Sequence, residues 1–223
     1  GRKKLRYYKN ILMRVDLFQH EQIFSYIKEN VSKGSKICDF GSGEGALAQR
    51  LYDNGYEVTA LDQHDYFKAK GCNFIQVNFD NKEELETFIK KNSNEFDAVI
   101  GIEVIEHVHD QWAYITNMSK LCKDDGYLFI STPNTSSWLS RILFLLTGRF
   151  HQFGDLDLSY GHISPLSLWE FKTILNALNF KDFKFYSIGT LPPIYISSLK
   201  TFLATLLGLL FRPFQKGKLN GWN

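Results

Sequence analysis

Apolar and polar residues alternate in two ways along residues 36–131. Short apolar runs of strand length are separated by stretches in which apolar residues recur every three or four positions. This alternation predicts βαβ units and a parallel sheet with helices on both faces. The predicted strands are 36–40, 57–61, 73–77, 97–102 and 126–131. The predicted helices between them are 45–53, 82–91 and 112–122.

The pattern continues on both sides of this region. Apolar residues recur at helical spacing over 11–31, which predicts one or two amphipathic helices before the sheet. Helices are predicted again over 137–146 and 165–178, and a strand over 183–188. The fold class is therefore α/β, a doubly wound, Rossmann-like and mostly parallel sheet of about seven strands.

A length of 223 residues favours one domain. Within residues 1–223 we expect N-terminal helices over 1–33 and a cofactor-binding core over 34–188. A substrate lid is expected near 136–162, inside that core, and the remaining 189–223 form an apolar C-terminal extension.

Composition narrows the class of protein. Hydrophobic residues make up 44% and charged residues 22% of the chain, as in ordinary globular proteins, and the net charge of +2 excludes a strongly basic nucleic-acid binder. The three cysteines, Cys38, Cys72 and Cys122, have neither zinc-site nor disulfide-framework spacing, which favours a reducing compartment. With no signal peptide evident, we expect a cytoplasmic protein.

Residues 201–211 are almost wholly apolar, but a helix that spans a bilayer needs about 20 such residues. Two alternatives remain: a helix packed on the sheet or at a dimer contact, or a helix lying on the inner face of the membrane with Phe211 and Phe214 inserted. In the second case the head groups would meet three cations, Arg212, Lys216 and Lys218. The oligomeric state is open.

A glycine-rich turn follows the first predicted strand of the core. Its sequence is Gly41-Ser42-Gly43-Glu44-Gly45, and a helical pattern begins directly after it. Glycines in such a turn allow positive φ angles and let the backbone approach a ligand closely. The turn also satisfies the dinucleotide pattern G-x-G-x-x-A, so a nicotinamide cofactor is an alternative.

Charge favours a cationic cofactor at this turn. Asp39 and Glu44 would repel a pyrophosphate, whereas S-adenosylmethionine carries an ammonium group that Asp39 can bind. Asp62, at the end of the next predicted strand, would accept both ribose hydroxyls, and Gln63 would lie by the adenine edge. S-adenosylhomocysteine would be the product.

These residues resemble the class I S-adenosylmethionine-dependent methyltransferases. Within them, the chain is similar to ubiquinone-biosynthesis O-methyltransferases and cell-surface polysaccharide methyltransferases. The resemblance covers about residues 35–188, in the blocks 37–45, 60–62, 96–100, 103–108 and 126–134.

The resemblance implies further cofactor contacts. Asn78 stands where an Asp commonly binds the adenine amino group, and Phe79 supplies the neighbouring backbone amide. Ile102 matches the residue whose carbonyl accepts from the methionine ammonium. The cofactor-binding turn itself comprises Gly41, Ser42, Gly43 and Gly45.

Two histidines are candidates for catalysis. Methyl transfer mainly requires orientation of the acceptor and removal of one proton, and His107, predicted at a helix start, can accept that proton near neutral pH. Alternatively, His107 only anchors its loop. The resemblance implies that His162 faces the active site, although a structural role at the following helix start is also open.

Other polar residues are candidates for metal or substrate contacts. Glu103, Glu106 and His107 have i, i+3, i+4 spacing, which would place them on one helical face, and the resemblance implies a divalent ion there in some relatives. Many related proteins use no metal, so a metal site is left unknown. Glu103, Arg149 and Tyr160 are candidate substrate contacts, and Arg149 suits a phosphate or carboxylate.

The predicted reaction is O-methylation of a small acceptor, without nucleic acid as partner. The resemblance favours a sugar, sugar phosphate or phosphoramidate precursor of a capsule or lipopolysaccharide, that is, cell-surface polysaccharide biosynthesis. A quinone or other lipid-linked acceptor is the alternative. Outside this class, an NAD-dependent oxidoreductase and an inactive cofactor-binding subunit remain.

Overall fold

The computed structural model describes residues 6–15, 18–79, 81–180, 182–217 and 219–223. Lys218, one of the predicted head-group contacts, lies outside these residues. The chain divides into two compact units. The first, the sheet unit, comprises Arg2–Ile105 and Trp112–Ser131, and the second, the helical unit, comprises Glu106–Gln111 and Thr132–Asn223.

The sheet unit is built on a parallel sheet, as predicted, and this sheet has five strands. Its strand order is β5-β4-β3-β6-β7. The strands are β3 (Lys36–Phe40), β4 (Glu57–Asp62), β5 (Asn73–Gln76), β6 (Phe96–Ile102) and β7 (Cys122–Ser131). The connecting helices are α2 (Ala46–Asp53), α3 (Lys82–Lys91) and α4 (Gln111–Leu121).

The centre of the sheet fixes where a ligand can bind. Ile37 and Val99, on the adjacent strands β3 and β6, are completely buried, as expected of strands covered on both faces. Strand order reverses between β3 and β6, and open parallel sheets bind ligands at the carboxyl ends of strands beside such a reversal. Asp39 and Ile102 lie near those ends.

The beginning of the chain differs from the prediction. Strands β1 (Arg6–Tyr8) and β2 (Ile11–Met13) form an antiparallel hairpin, and helix α1 begins only at Gln19 and ends at Asn30. The helix predicted from residue 11 is therefore wrong over its first part. The turn residues Lys9 and Asn10 both have positive φ, 46° and 67°, which is the geometry of a two-residue hairpin turn and is incompatible with a helix.

The helical unit contains α5 (Trp138–Thr147), α6 (Asp155–Ser159), α7 (Leu168–Ala177), α8 (Leu199–Phe211) and a 3₁₀ turn, Arg212–Phe214. Its core comprises Trp138, Leu139, Ile142, Leu143, Leu191 and Ala204. Among the described residues, no helix combines the length and apolar character needed to cross a membrane.

The strand predicted over 183–188 is not formed. The amide of Ile188 donates to the carbonyl of Asn223, and the amide of Trp222 donates to the carbonyl of Ile188. The rings of Phe183 and Phe185 lie edge-on, with centroids 5.7 Å apart. The seven strands that the structure does describe are the five of the parallel sheet and the two of the hairpin.

Candidate functional site

The glycine turn after β3 depends on its glycines for two different reasons. The φ angles are +107° at Gly41, +55° at Gly43 and +87° at Gly45, and residues other than glycine rarely adopt such values. A Cβ on Gly41 would lie 2.6 Å from a methyl of Val104, and one on Gly45 would lie 2.5 Å from the ring of Phe67. A Cβ on Gly43 would meet no atom within 4 Å. The turn is therefore tightly packed at both ends and open in the middle.

Asp62 joins this turn to the end of β4. Its Oδ2 accepts from the amide of Gly43 at 2.8 Å, and its Oδ1 accepts from the amide of His64 at 2.9 Å. The amides of Gly41 and Ser42 both donate to the carbonyl of Leu61, at 2.9 and 2.8 Å. Each carboxylate oxygen of Asp62 keeps a further acceptor position, as a ribose diol requires.

Two polar side-chain atoms at this turn are buried without a hydrogen-bond partner. Asp39 is 3% exposed, and neither its Oδ2 nor the Oγ of Ser42 has a partner. Burial, and to a lesser extent the nearby charge of Asp62, raises the pKa of Asp39 to about 7. An unsatisfied buried polar group costs about 1–3 kcal/mol, so this geometry fits a polar, cationic ligand that would pair with Asp39.

Glu44 does not contribute to the charge of the site as the sequence suggested. Its carboxylate lies 2.5 Å from Nζ of Lys68 and 3.1 Å from a guanidinium nitrogen of Arg14. The hydrogen bond from Lys68 lowers the pKa of Glu44. Two cations already neutralise Glu44. The carboxylates that disfavour an anionic ligand at this turn are therefore those of Asp39 and Asp62.

Two of the three predicted adenine contacts, Gln63 and Asn78, line an open, polar cavity of about 470 Å³ in the sheet unit. Its lining residues are Gln63, His64, Gln76, Asn78 and Glu84. The side chain of Gln76 donates to the carbonyl of Gln63, which fixes the backbone at the end of β4. The ring of Phe79 packs against that of Phe40, 4.9 Å away. The cavity is therefore wide and hydrophilic enough for a purine edge.

Glu103 is held by the end of β7 and not by a helix. Ser131, which pairs with Ile102 in the sheet, donates from its Oγ to Oε1 of Glu103 at 2.6 Å. The amide of Glu103 donates to Oγ and to the carbonyl of Ser131, each at 3.2 Å. Sequence analysis did not single out Ser131, although it lies within the block 126–134 that carries the resemblance.

The predicted helical face of Glu103, Glu106 and His107 is wrong. Residues 103–110 form turns and bends, and α4 begins only at Gln111. The backbone of Glu103 has a positive φ of 55°, which a helix does not allow. Glu103 thus belongs to the sheet unit, while Glu106 and His107 belong to the helical unit.

The helical unit brings the two candidate histidines together. The rings of His107 and His162 meet edge-on, with centroids 4.8 Å apart, and Oε1 of the fully buried Glu106 lies 4.0 Å from Nε2 of His107. Potential ligand atoms of these three residues all lie within 4.8 Å of one another. The carbonyl of Glu106 accepts from the amides of Ile163 and Ser164, which holds His162 in place. This cluster could manage a proton or hold a cation.

Hydrogen bonds and burial define the state of both rings. Nδ1 of His162 lies 2.8 Å from the carbonyl of Gln152, which can only accept, so Nδ1 carries the proton and Nε2 of the neutral ring is an acceptor. Burial, followed by the proximity of His162, lowers the pKa of His107, against a hydrogen bond with the backbone of Gly161. The lowered pKa favours a neutral His107 ring, which can accept a proton near neutral pH. Gln152 gave no signal in the sequence.

The other predicted substrate contacts lie on the exposed surface of the helical unit. The guanidinium of Arg149 pairs with Asp155, and both side chains are more than half exposed. Tyr160 is 67% exposed at the end of α6. Arg149 thus already has a carboxylate partner within its own loop, which an anionic substrate would have to displace.

Comparison with known proteins supports the same class of enzyme. A family described as a methyltransferase domain matches residues 16–184. A solved S-adenosylmethionine-dependent methyltransferase from Archaeoglobus fulgidus has a TM-score of 0.63 and 18% identity, covering 92% of this chain and 89% of its own. That likeness shows the shared fold.

Curated relatives are more similar in sequence over a shorter region. A ubiquinone biosynthesis O-methyltransferase of Rickettsia typhi is 34% identical over 128 residues, which are 56% of this chain and 52% of that protein. One of Coxiella burnetii is 28% identical over 154 residues, 65% of each. The chain spans about half the length of the curated relatives that it matches. With the family match covering most of the chain, the chain belongs to the methyltransferase domain family and carries an S-adenosylmethionine-dependent methyltransferase domain.

Proposed function

We propose that the protein transfers the methyl group of S-adenosylmethionine to a hydroxyl oxygen of a small acceptor. The observation that carries this proposal is the buried carboxyl of Asp39, which lacks a hydrogen bond at Oδ2 beside a turn of three positive-φ glycines. A cation is the ligand that satisfies such a carboxyl. When bound, S-adenosylmethionine supplies a methyl group activated by its sulfonium.

The sheet unit would hold the cofactor along the ends of its strands. Asp39 pairs with the ammonium group, and the carbonyl of Ile102 accepts from the same group. Asp62 accepts from both ribose hydroxyls while keeping its bonds to the Gly43 and His64 amides. At the open cavity, Gln63, Asn78 and the amide of Phe79 bind the adenine.

The histidine pair of the helical unit would manage the proton. As the acceptor oxygen bonds the methyl carbon and the sulfur–carbon bond breaks, the hydroxyl must lose one proton. His107, whose pKa is lowered by burial, is neutral at physiological pH and accepts it. The second ring, His162, is fixed by its Nδ1 hydrogen bond to the carbonyl of Gln152, which leaves its Nε2 as an acceptor for a proton. Neither step requires a metal ion, although Glu106 and the two rings could bind one.

A phenolic hydroxyl of a lipid-linked aromatic ring is the acceptor that we favour. The relatives are named for O-methylation in ubiquinone biosynthesis, which supports a quinone-type acceptor over a sugar. The sugar phosphate of a polysaccharide precursor has less support, because Arg149, its best candidate contact, is paired with Asp155. It remains the second candidate.

The test is methyl transfer from labelled S-adenosylmethionine to three acceptors: a catechol, a hexose and a hexose phosphate. We expect label in a methyl ether of the catechol, and a rate that depends on His107. Label only in a sugar would show that the acceptor is a sugar and not a phenol, while the proposed methyl transfer would stand. Label in none of them, with S-adenosylhomocysteine bound in calorimetry, would favour an inactive cofactor-binding subunit and overturn the proposal.

A further inference from the structure

Helix α8 buries its small residues and exposes its large ones. Its exposed apolar residues recur at intervals of three and four, as one stripe of a helix does. They are Leu199, Phe202, Leu203, Leu206, Leu209 and Leu210, and Phe211 at the end of the helix is exposed as well. The buried positions are Thr201, Ala204, Thr205 and Gly208. This is the reverse of a helix whose apolar stripe faces a protein core.

The rotation of α8 about its axis is fixed by specific contacts. A Cβ on Gly208 would lie 2.6 Å from the ring of Trp138, so only glycine permits this close approach. Oγ1 of Thr205 donates to the carbonyl of Tyr195 at 2.8 Å and accepts from its amide at 3.2 Å. At the first turn, Ser198 and Thr201 form a reciprocal capping box. Turning the leucines inward would break the contacts of Gly208 with Trp138 and of Thr205 with Tyr195.

The exposed apolar surface continues beyond α8 in the helical unit. The loop before the helix exposes Ile194 and Ile196, and Phe214 after it is 81% exposed. Monomeric soluble proteins rarely expose apolar surface over so many neighbouring positions of the chain, and such surfaces usually mark an interaction site. We call the exposed side chains of α8, with these three residues, the apolar face.

The charged residues of the chain segment that carries the apolar face all have one sign. Residues 183–223 contain no Asp or Glu but five Lys or Arg. Lys200 in the first turn of α8 and Lys216 after the 3₁₀ turn are both exposed. An apolar stripe in a segment whose charged residues are all cations is complementary to a surface that is apolar inside and anionic outside, which is an anionic lipid membrane.

We propose that the apolar face docks on an anionic lipid membrane. Helix α8, 13 residues and about 20 Å long, lies flat in the interface. Its leucines and phenylalanines enter the acyl region, while Lys200 and Lys216 contact the head groups. The inner face stays packed on the helical unit, so docking needs no unfolding. The proposal holds whatever the methyl acceptor is.

The experiment is flotation of the protein with vesicles of phosphatidylcholine, with and without phosphatidylglycerol. We expect flotation with the anionic vesicles that weakens with salt. The variant Leu206→Ser/Leu210→Ser removes two exposed leucines and should lower binding at least roughly tenfold. The matched control is Leu156→Ser/Leu158→Ser, which changes two equally exposed leucines in an acid-containing helix and should leave binding unchanged.

Other results would overturn the proposal. Wild-type protein that stays unbound with both vesicle types contradicts it. A dimer in analytical ultracentrifugation that the Leu206→Ser/Leu210→Ser variant converts to a monomer, without vesicle binding, would make the apolar face a contact between two copies. Charge reversal in Lys200→Glu/Lys216→Glu should reduce flotation with anionic vesicles, and unchanged flotation would refute the electrostatic part. Since vesicle binding is measured without turnover, failure here leaves the proposed reaction untouched.

Discussion

The sheet unit and the helical unit hold their candidate functional groups in different ways. In the sheet unit, Asp39 and Asp62 sit at the ends of buried strands, and a regular pattern of backbone bonds sets their positions. In the helical unit, His107 and His162 lie on irregular segments: their rings contact each other, and His162 is also held by the carbonyl of Gln152. Rigid strand ends suit a cofactor common to many enzymes, whereas loops can change with the acceptor. If so, substitutions in the two units should affect different steps.

The largest expected effect is on turnover, from the helical unit. His107→Ala should lower kcat by roughly 10²–10⁴-fold, the usual contribution of a positioned base, with S-adenosylhomocysteine affinity nearly unchanged. Kinetics and calorimetry on the same preparation measure both. His109→Ala, an exposed histidine two residues away, is the matched control. Equal losses of turnover and affinity in His107→Ala would make its role structural and break the comparison.

The pH profile sharpens the same assignment. The pKa of His107 lies below the ordinary value of histidine. As the pH is lowered, kcat/KM should therefore fall only once the pH is below that ordinary value, where the ring becomes protonated. His162→Ala removes a neighbour that lowers this pKa, so the acidic limb should move to higher pH. An acidic limb that stays in place would separate His107 from the proton transfer.

In the sheet unit, Asp62→Ala should weaken S-adenosylhomocysteine binding by roughly a hundredfold or more. It removes an acceptor for the ribose and the partner of the Gly43 and His64 amides, each bond to a charged group contributing about 1.5–3 kcal/mol. At saturating cofactor, kcat should be nearly normal. Asp65→Ala, exposed in the same loop, should change neither quantity.

Cofactor affinity should depend on pH through Asp39. Its pKa of about 7 means that the free carboxyl takes up a proton as the pH falls below 7, and the neutral acid pairs poorly with an ammonium group. S-adenosylmethionine affinity should therefore decrease by up to roughly tenfold per pH unit below that value. Calorimetry in buffers of different ionisation enthalpy should detect proton release on binding. Asp39→Asn should abolish both effects, and a pH-independent wild type would contradict the assignment.

The free energy of unfolding should distinguish substitutions at two glycines of the same turn. Gly41→Ala must accommodate a φ of +107° and a Cβ 2.6 Å from Val104, and should cost about 2–4 kcal/mol of unfolding free energy. Gly43→Ala meets no neighbouring atom and should cost only the backbone strain, about 1–2 kcal/mol. Denaturant unfolding measures both. Equal costs would show that φ alone matters.

The smallest expected effect is at the exposed ion pair. Arg149→Ala should change stability by less than about 1 kcal/mol, since pairs in solvent contribute little. It should leave KM for a phenolic acceptor unchanged. A large rise in KM for a phosphorylated sugar would instead make the polysaccharide precursor the favoured acceptor.

The local sequence was sufficient to predict those elements whose contacts are made by residues close together in the chain. The strand 36–40 and its glycine turn were predicted closely, because periodicity and positive-φ glycines are local properties. The hairpin of β1 and β2 was missed, since Lys9 and Asn10 lack the usual Asn-Gly signature of its turn. The strand predicted over 183–188 was wrong: Ile188 bonds to residues 222 and 223, far along the chain, and local periodicity does not reveal such contacts.

The sequence by itself determined the parallel sheet, its glycine turn and the two carboxylates, Asp39 and Asp62, because strand periodicity places them at one sheet edge. Only the tertiary structure decided which groups act together or face solvent. Residues 106 and 162 meet through backbone bonds between distant segments, and Glu44 is neutralised by Lys68 across a loop. The outward stripe of α8 follows from the fit of Gly208 against Trp138, a contact that no periodicity reveals.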